Sequence, residues 1–223
     1  MSDHQSSPVD PYHVTPGGEP VVIHRDGRLT VSKLSVGGMD NNVYLLQDGD
    51  NLVLIDAAAD PDRLLEVTQG YGPDVVVTTH RHHDHIGALA ELAEQRGPRL
   101  FAGAPDVEAI TEATGAGPIT GVWDGDHITC GPIMLRVVGL VGHTPGAIAL
   151  ALKDELLFTG DSLFPGGPGK TNSPEDFTSL MDDLESKLFA RYGDHTAVHP
   201  GHGDSTTIGH ERPQLQQWRE RGW

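Results

Sequence analysis

The sequence predicts a mixed chain of the α/β or α+β class, one domain made of two packed sheets with helices outside them. Three observations carry that expectation. Short runs rich in Val, Ile and Leu alternate with stretches of helical periodicity, in the order strands, helix, strands, helix, which is the rhythm of layered sheet-and-helix domains. The chain holds 28 glycines and 16 prolines, so its elements are short and its turns frequent. Its 223 residues, 37% of them hydrophobic, suffice for one buried core.

Taken in order, residues 1–20 carry Pro8, Pro11, Pro16 and Pro20 beside Gly17 and Gly18, and are expected as an extended, partly mobile N-terminal arm, with a single domain over 21–223. Strands are expected at 21–25, 29–36, 43–47 and 52–55, punctuated by Asp26-Gly27 and Asp48-Gly49, dipeptides that suit tight hairpin turns. Pro61 opens a helix over 60–69, with Asp60 as its N-cap. Residues 75–79 form an apolar run of the buried-strand type. The spacing of Ile86, Leu89, Ala90 and Ala93 predicts a helix over 86–96, followed by a strand at 99–102 and a helix at 105–114. Strands follow at 127–130, 134–138, 147–152 and 156–159. Residues 173–191 make the longest helical pattern, with Ser173 as cap, Pro174 at the first position, and Phe177, Leu180, Met181, Leu184 and Leu188 as a core-facing stripe. A strand at 196–199 and a helix at 210–219 complete the chain.

Composition narrows the function. Fifteen Lys and Arg stand against 32 Asp and Glu, a formal net charge of −17. Such a surface repels phosphate backbones and anionic lipid, so neither nucleic acid nor a membrane is expected as a partner. Apolar runs fall far short of a membrane span, residues 1–10 lack the apolar centre of a signal peptide, and the single cysteine, Cys130, permits no internal disulfide. Together these point to a cytoplasmic protein in which Cys130 is a small buried hydrophobe. Histidine is the unusual count, at 13.

Residues 79–87 read Thr-His-Arg-His-His-Asp-His-Ile-Gly, directly after the apolar strand and before a helix. Four imidazoles and a carboxylate crowded there repel one another when protonated and leave many nitrogens unpaired when neutral. A divalent metal resolves both problems, since neutral imidazole and carboxylate are zinc-type ligands. Alternate residues of an extended segment face the same way, so His80 and His82 can share one ion, while Asp84 and His85, beyond the turn, suit a second. His83 faces away from its alternating neighbours and is left out. Further ligands must come from distant sequence, and the candidates are His143 in Gly-His-Thr-Pro-Gly, Asp161 in Phe-Thr-Gly-Asp-Ser and His202 in Pro-Gly-His-Gly-Asp, each at the end of an expected strand. Singly, each would be an ordinary loop or turn residue; the set raises them. His4 and His13 lie in the arm, and His24, His127, His195, His199 and His210 acquire no role.

The series H-x-H-x-D-H followed by isolated His, Asp and His resembles the metal-binding series of the metallo-β-lactamase fold. Residues 157–170, with Phe-Thr-Gly-Asp-Ser-Leu-Phe and Gly-Pro-Gly-Lys, and residues 200–212 look like the glyoxalase II (hydroxyacylglutathione hydrolase) branch. The resemblance runs from about Val31 to the C-terminus and implies a four-layer αββα sandwich with metals at one edge. It implies two divalent ions, zinc first, with iron or manganese as alternatives. His80, His82 and His143 would hold one, Asp84, His85 and His202 the other, and Asp161 and a hydroxide would bridge them. Asp84 and Asp161 with that hydroxide would form the catalytic set. Asp56 resembles the buried aspartate behind the metals that orients a ligand. Lys170 matches the position that binds the carboxylate of the thiol. Larger members carry a tyrosine two positions later, where this chain has Asn172, and the chain stops at Trp223, so a short form without the C-terminal helical domain is expected.

The activity so implied is hydrolysis of a small-molecule acyl-thiol, whose thiolate, with a pKa near ~8.5, leaves without a strong general acid. Cys130 then has no catalytic role. The nearest rival is a persulfide dioxygenase with one iron on His80, His143 and Asp161. A β-lactamase usually has another residue in place of His85. From a different class, the chain could be a metal-binding or thiol-sensing module without turnover.

Overall fold

Along the longer strands, odd and even positions face different cores, and this alternation builds the molecule in layers. The structure, a computed structural model, describes residues 10–68, 72–95 and 97–222. Residues 1–9 of the expected arm, and Gln69 and Arg96, the expected last residues of two helices, lie outside the described residues.

The first half gives β1 (Val21–Asp26), β2 (Leu29–Val36), β3 (Asn41–Asp48), β4 (Asn51–Ile55), α1 (Pro61–Val67), β5 (Val75–Thr78), α2 (Leu89–Gln95), β6 (Arg99–Gly103), α3 (Val107–Thr114) and β7 (Ile119–Val122). Strands β1 to β7 form one sheet in chain order. Its first four strands are antiparallel, and β4 to β7 pair in parallel through crossovers that contain the helices. The second half gives β8 (His127–Cys130), β9 (Ile133–Gly139), β10 (Ile148–Leu152), β11 (Leu156–Gly160), a small hairpin of β12 (Leu163–Phe164) and β13 (Gly167–Pro168), α4 (Pro174–Asp183), β14 (Ala197–Pro200), β15 (Thr206–Thr207), α5 (Ile208–Glu211) and α6 (Leu215–Arg221). Its sheet has the order β15-β14-β11-β10-β9-β8.

Tyr44, Leu46, Val53, Ile55, Val75 and Val77 of the first sheet meet Leu135, Val137, Ile148, Leu150 and Phe158 of the second in a central core. Their neighbours point the other way. Val43, Leu45, Leu54 and Val76 pack under Leu64, Leu89, Leu92 and Ile110 of α1, α2 and α3. Val138, Ala149, Leu157 and Val198 pack under Leu180, Met181, Leu184, Leu188 and Trp218. The result is the αββα order of layers, with the stripe of residues 173–191 in the core as its periodicity predicts.

Both Asp-Gly turns form as expected, with Gly27 at φ 59° and Gly49 at φ 61°. Ser173 caps α4 by accepting from the Asp176 N–H at 3.1 Å. Other details differ. Asp60 occupies the cap position of α1, but its carboxylate accepts from the Gly37 N–H (2.8 Å) and makes no cap bond. The α2 helix starts at Leu89 and not Ile86, because the N–H groups of Gly87 and Ala88 donate to Ala58 O and Ala57 O, both at 2.9 Å. The long helix is α-helical only to Asp183 and continues as a π-turn over Leu184–Phe189. The expected helix at 210–219 is three pieces, α5, a 3₁₀ turn at Arg212–Gln214 and α6, broken where Pro213 has no N–H to give. The edge strands β7 and β15 and the β12–β13 hairpin are additions, too short and too rich in Gly and Thr to register as strands.

The described part of the arm is pinned. Asp10 accepts from Tyr12 N–H (3.0 Å) and Ser205 N–H (2.7 Å), and Arg63 donates to the carbonyls of Gly17 and Gly18. Cys130 is buried and unpaired, as expected. Among the described residues no helix is long and apolar enough to cross a membrane. The two sheets are stitched at one edge, where Ile148 N–H donates to Thr79 O (2.9 Å) and Asn42 N–H to Gly201 O (2.7 Å).

Candidate metal centre

At that edge the chain leaves β5, β9, β11 and β14 through loops, and these four loops carry the candidate ligands. Residues 79–82 continue extended from β5, which sets His80 and His82 on one side with ring centroids 4.7 Å apart. A 3₁₀ turn at His83–His85 then redirects Asp84 and His85, and it leaves the His83 side chain 88% exposed and out of the cluster. His143 arrives on the loop before β10, Asp161 follows Gly160 at the end of β11, and His202 follows β14.

Three groups of donor atoms among the described residues could each hold an ion: His80, His82 and His143; His80, His85 and Asp161; and Asp84, His85 and His202. In the first group, His80 Nε2 lies 3.0 Å from His82 Nδ1 and 3.2 Å from His143 Nε2. In the last, His85 Nε2 is 3.3 Å from His202 Nε2, and Asp84 Oδ2 is 3.2 Å from His202 Nε2 and 3.6 Å from His85 Nε2. Asp161 stands between the groups, with Oδ1 3.4 Å from His85 Nε2 and Oδ2 3.4 Å from His202 Nε2 and 3.7 Å from His143 Nε2.

The rear faces of the imidazoles explain what the front faces need. His143 Nδ1–H donates to Lys170 O (2.6 Å), His202 Nδ1–H to Met39 O (2.9 Å) and His85 Nδ1–H to Asp56 Oδ2 (2.8 Å). Thr79 gives its hydroxyl proton to Asp56 Oδ2 (2.8 Å), so its oxygen accepts from His80 Nδ1–H (3.1 Å). Each rear bond fixes a tautomer and leaves Nε2 a bare lone pair aimed at the centre. Nitrogens facing one another at 3.2 and 3.3 Å repel unless a proton or a metal cation lies between them. Asp161 Oδ1 is buried without a hydrogen bond among the described residues, with His85 Nε2 as its neighbour at 3.4 Å, a position that a cation would complete. The donor set therefore fits divalent metal.

The electrostatics agree. Burial pulls the pKa of His80 well below the usual imidazole value, with His85 adding to it, and burial also lowers His82 and His143, so all three stay neutral ligands. His85 goes the other way: burial opposes its charge, but Asp56 and Asp161 overcome that and raise it to about 10. Burial alone would raise Asp161, yet the imidazoles of His202 and His85 hold it far below the carboxylate range. This point of the molecule attracts positive charge.

Asp56 lies beneath the ligands, at the end of β4 as the sequence suggested, and also accepts from the Thr79 N–H (2.7 Å). Lys170 stands one shell out: its carbonyl holds His143, and it lines a cavity of about 410 Å³ with Pro168, Gly169, Thr171, Phe177, Arg221 and Gly222. Sequence reasoning missed Asn41, whose amide donates to Asp84 Oδ2 (3.0 Å), and Asp106, fully buried between loops. A lone Asn and a lone turn Asp carry no pattern that could have marked them.

The sequence matches the model of the Metallo-beta-lactamase superfamily over residues 36–202. It is 28% identical to the probable metallo-hydrolase YqgX of Bacillus subtilis, over 82% of this chain and 94% of that protein. It is 33% identical to a hydroxyacylglutathione hydrolase of Anaeromyxobacter dehalogenans, over 74% of this chain and only 62% of that protein, so it spans less than two thirds of that relative. Among solved structures it is similar to ETHE1 from Myxococcus xanthus, with a TM-score of 0.71 at 29% identity over 85% of this chain and 86% of that one. It is also similar to TTHA1623 in a di-iron-bound form, with a TM-score of 0.67 at 30% identity over 81% and 96%.

Proposed function

Since the chain belongs to the metallo-beta-lactamase superfamily, a superfamily of metallo-hydrolases, we propose that it hydrolyses the thioester of a small thiol with two divalent ions, zinc first. The observation that carries this reading is the seven-residue donor set with Asp161 between its two halves. His80, His82 and His143 would hold one ion, Asp84, His85 and His202 the other, and Asp161 would touch both. Bound there, such ions supply Lewis acidity and a water acidic enough to ionise near neutral pH.

The protein's own groups do the rest. Asp56 keeps His85, and through Thr79 also His80, with Nε2 forward. Met39 O and Lys170 O do the same for His202 and His143. The side chains of Asp84, Asp161 and His202 stay partly open to solvent, at 12%, 14% and 22%, which marks the side from which an acyl group would enter. Lys170, lining the neighbouring cavity, would meet a carboxylate of the thiol as a point charge. The relative of Anaeromyxobacter, named for hydroxyacylglutathione hydrolysis, supports a thioester as the substrate class. Asp161→Ala is expected to remove nearly all turnover and to lower the metal content; full turnover in a metal-depleted variant would overturn the two-ion scheme.

A second reading, a persulfide dioxygenase with one iron, is favoured by the way His80, His143 and Asp161 converge: His143 Nε2 is 3.2 Å from His80 Nε2 and 3.7 Å from Asp161 Oδ2. Metal quantification of protein purified without added metal separates the two, paired with assays on an acyl-thioester and on a persulfide under oxygen. About two zinc-like ions per chain with thioester cleavage is the expected result. One iron with oxygen consumption on the persulfide establishes the second reading instead, and tight metal binding without either reaction leaves a non-catalytic module.

A further inference from the structure

Asp106 is a carboxylate with no accessible surface, at the cap position of α3, yet its side chain makes no bond to that helix. It is turned to two other loops. Oδ2 accepts from the Arg81 N–H (3.1 Å) and from the Thr144 hydroxyl (2.6 Å), and Oδ1 accepts from the Gly146 N–H (2.9 Å). Arg81 lies between His80 and His82, while Thr144 and Gly146 flank His143 on its C-terminal side. One buried group thus ties together the backbone on both sides of a three-histidine cluster. The approach is close: a Cβ on Gly146 would sit 2.7 Å from Asp106 Cβ, so glycine is required there. The other half of the centre leans elsewhere, Asp84 on Asn41, His85 on Asp56 and His202 on Met39 O.

We propose that Asp106 is the positioning residue of the His80–His82–His143 half-site, and that the two half-sites, apart from Asp56, which backs His85 directly and His80 through Thr79, have supports of their own and can be weakened one at a time. The proposal rests on the reading of these residues as metal ligands. Charge-assisted bonds from a buried carboxylate fix the loops on either side of the three nitrogens, so their spacing is set before a metal arrives. Loss of such an outer support typically weakens a metal site about 10- to 100-fold.

Cobalt(II) binding to metal-stripped protein tests it, read by visible absorption and by ions per chain, with His82→Ala and His202→Ala assigning the signal of each half-site. Asp106→Asn is expected to lower affinity at the three-histidine half-site by about 10- to 100-fold and to leave the other within about twofold. Thr144→Val, which removes only a hydroxyl donor, should do the same more mildly and serves if Asp106→Asn does not fold. Asn41→Ala should show the opposite selectivity. Equal losses at both half-sites in a folded variant would make Asp106 a general brace and overturn the proposal, as would two ions bound with unchanged affinity. A wild-type chain that binds no cobalt at all overturns the metal reading and this proposal with it, and is distinct from either outcome.

Discussion

Gly201, next to the candidate ligand His202, shows how little room the centre leaves. A Cβ there would overlap Asp161 Oδ1 and lie 2.7 Å from His85 Cε1. Gly201→Ala is therefore expected to displace Asp161 or His85 and abolish metal uptake while the fold persists, as measured by ions per chain beside a circular dichroism spectrum. His199 tests a different property. Burial, with the charges of Lys33 and His24 adding to it, lowers its pKa from 6.5 to about 3. The unfolded chain takes up this proton below pH 6.5 and the folded chain does not, so the stability that depends on a neutral His199 is whole above pH 6.5 and falls away as pH drops towards 3. Its ring stacks on Phe158 at 5.7 Å, so an aromatic replacement keeps a ring there while it gives up the bond to Ser205 Oγ (2.9 Å) and the titration together. In metal-free protein, His199→Phe should flatten the stability–pH curve between those limits; a curve as steep as the wild type's would refute the assignment. At this scale the clustering of the candidate ligands was legible because they are rare residue types in a dense pattern. Of their supports only Asp56 was read: Asn41, Thr79 and Asp106 look in sequence like any other polar turn residues.

Among the elements, the longer strands were legible and several helix ends were not. Val75, Val76 and Val77 read as a buried strand because both faces of β5 meet a core. By contrast the start of α2 is decided by Ala57 and Ala58, some thirty residues upstream, and no local pattern encodes that. Asp60 was misread for the same reason: it has the right type for a cap, but the Gly37 N–H competes for its carboxylate and wins. Ser173 meets no such competitor. Ser173→Ala should cost about 1 kcal/mol, seen as a shift of the denaturant midpoint without a change of slope.

Considered whole, the molecule is two sheets with a donor cluster across the seam. His80, His82, Asp84 and His85 belong to loops of the first sheet, and His143, Asp161 and His202 to loops of the second. Ions held there would clip the layers together, so their binding energy adds to the stability of the fold. Stripping with a chelator is expected to lower Tm by roughly 10 °C, equivalent to about 4 kcal/mol for a site filled at a thousandfold excess over Kd. Zinc should restore it, and an unchanged Tm in verified metal-free protein would show that the seam is held by packing alone.

The order of the donors along the chain has a bearing on biosynthesis. Three of the candidate imidazoles, those of His80, His82 and His85, are synthesised more than a hundred residues before His202, which would complete the donor set. A nascent chain would therefore carry only part of the donor set, and the full set would form only once the second sheet is made.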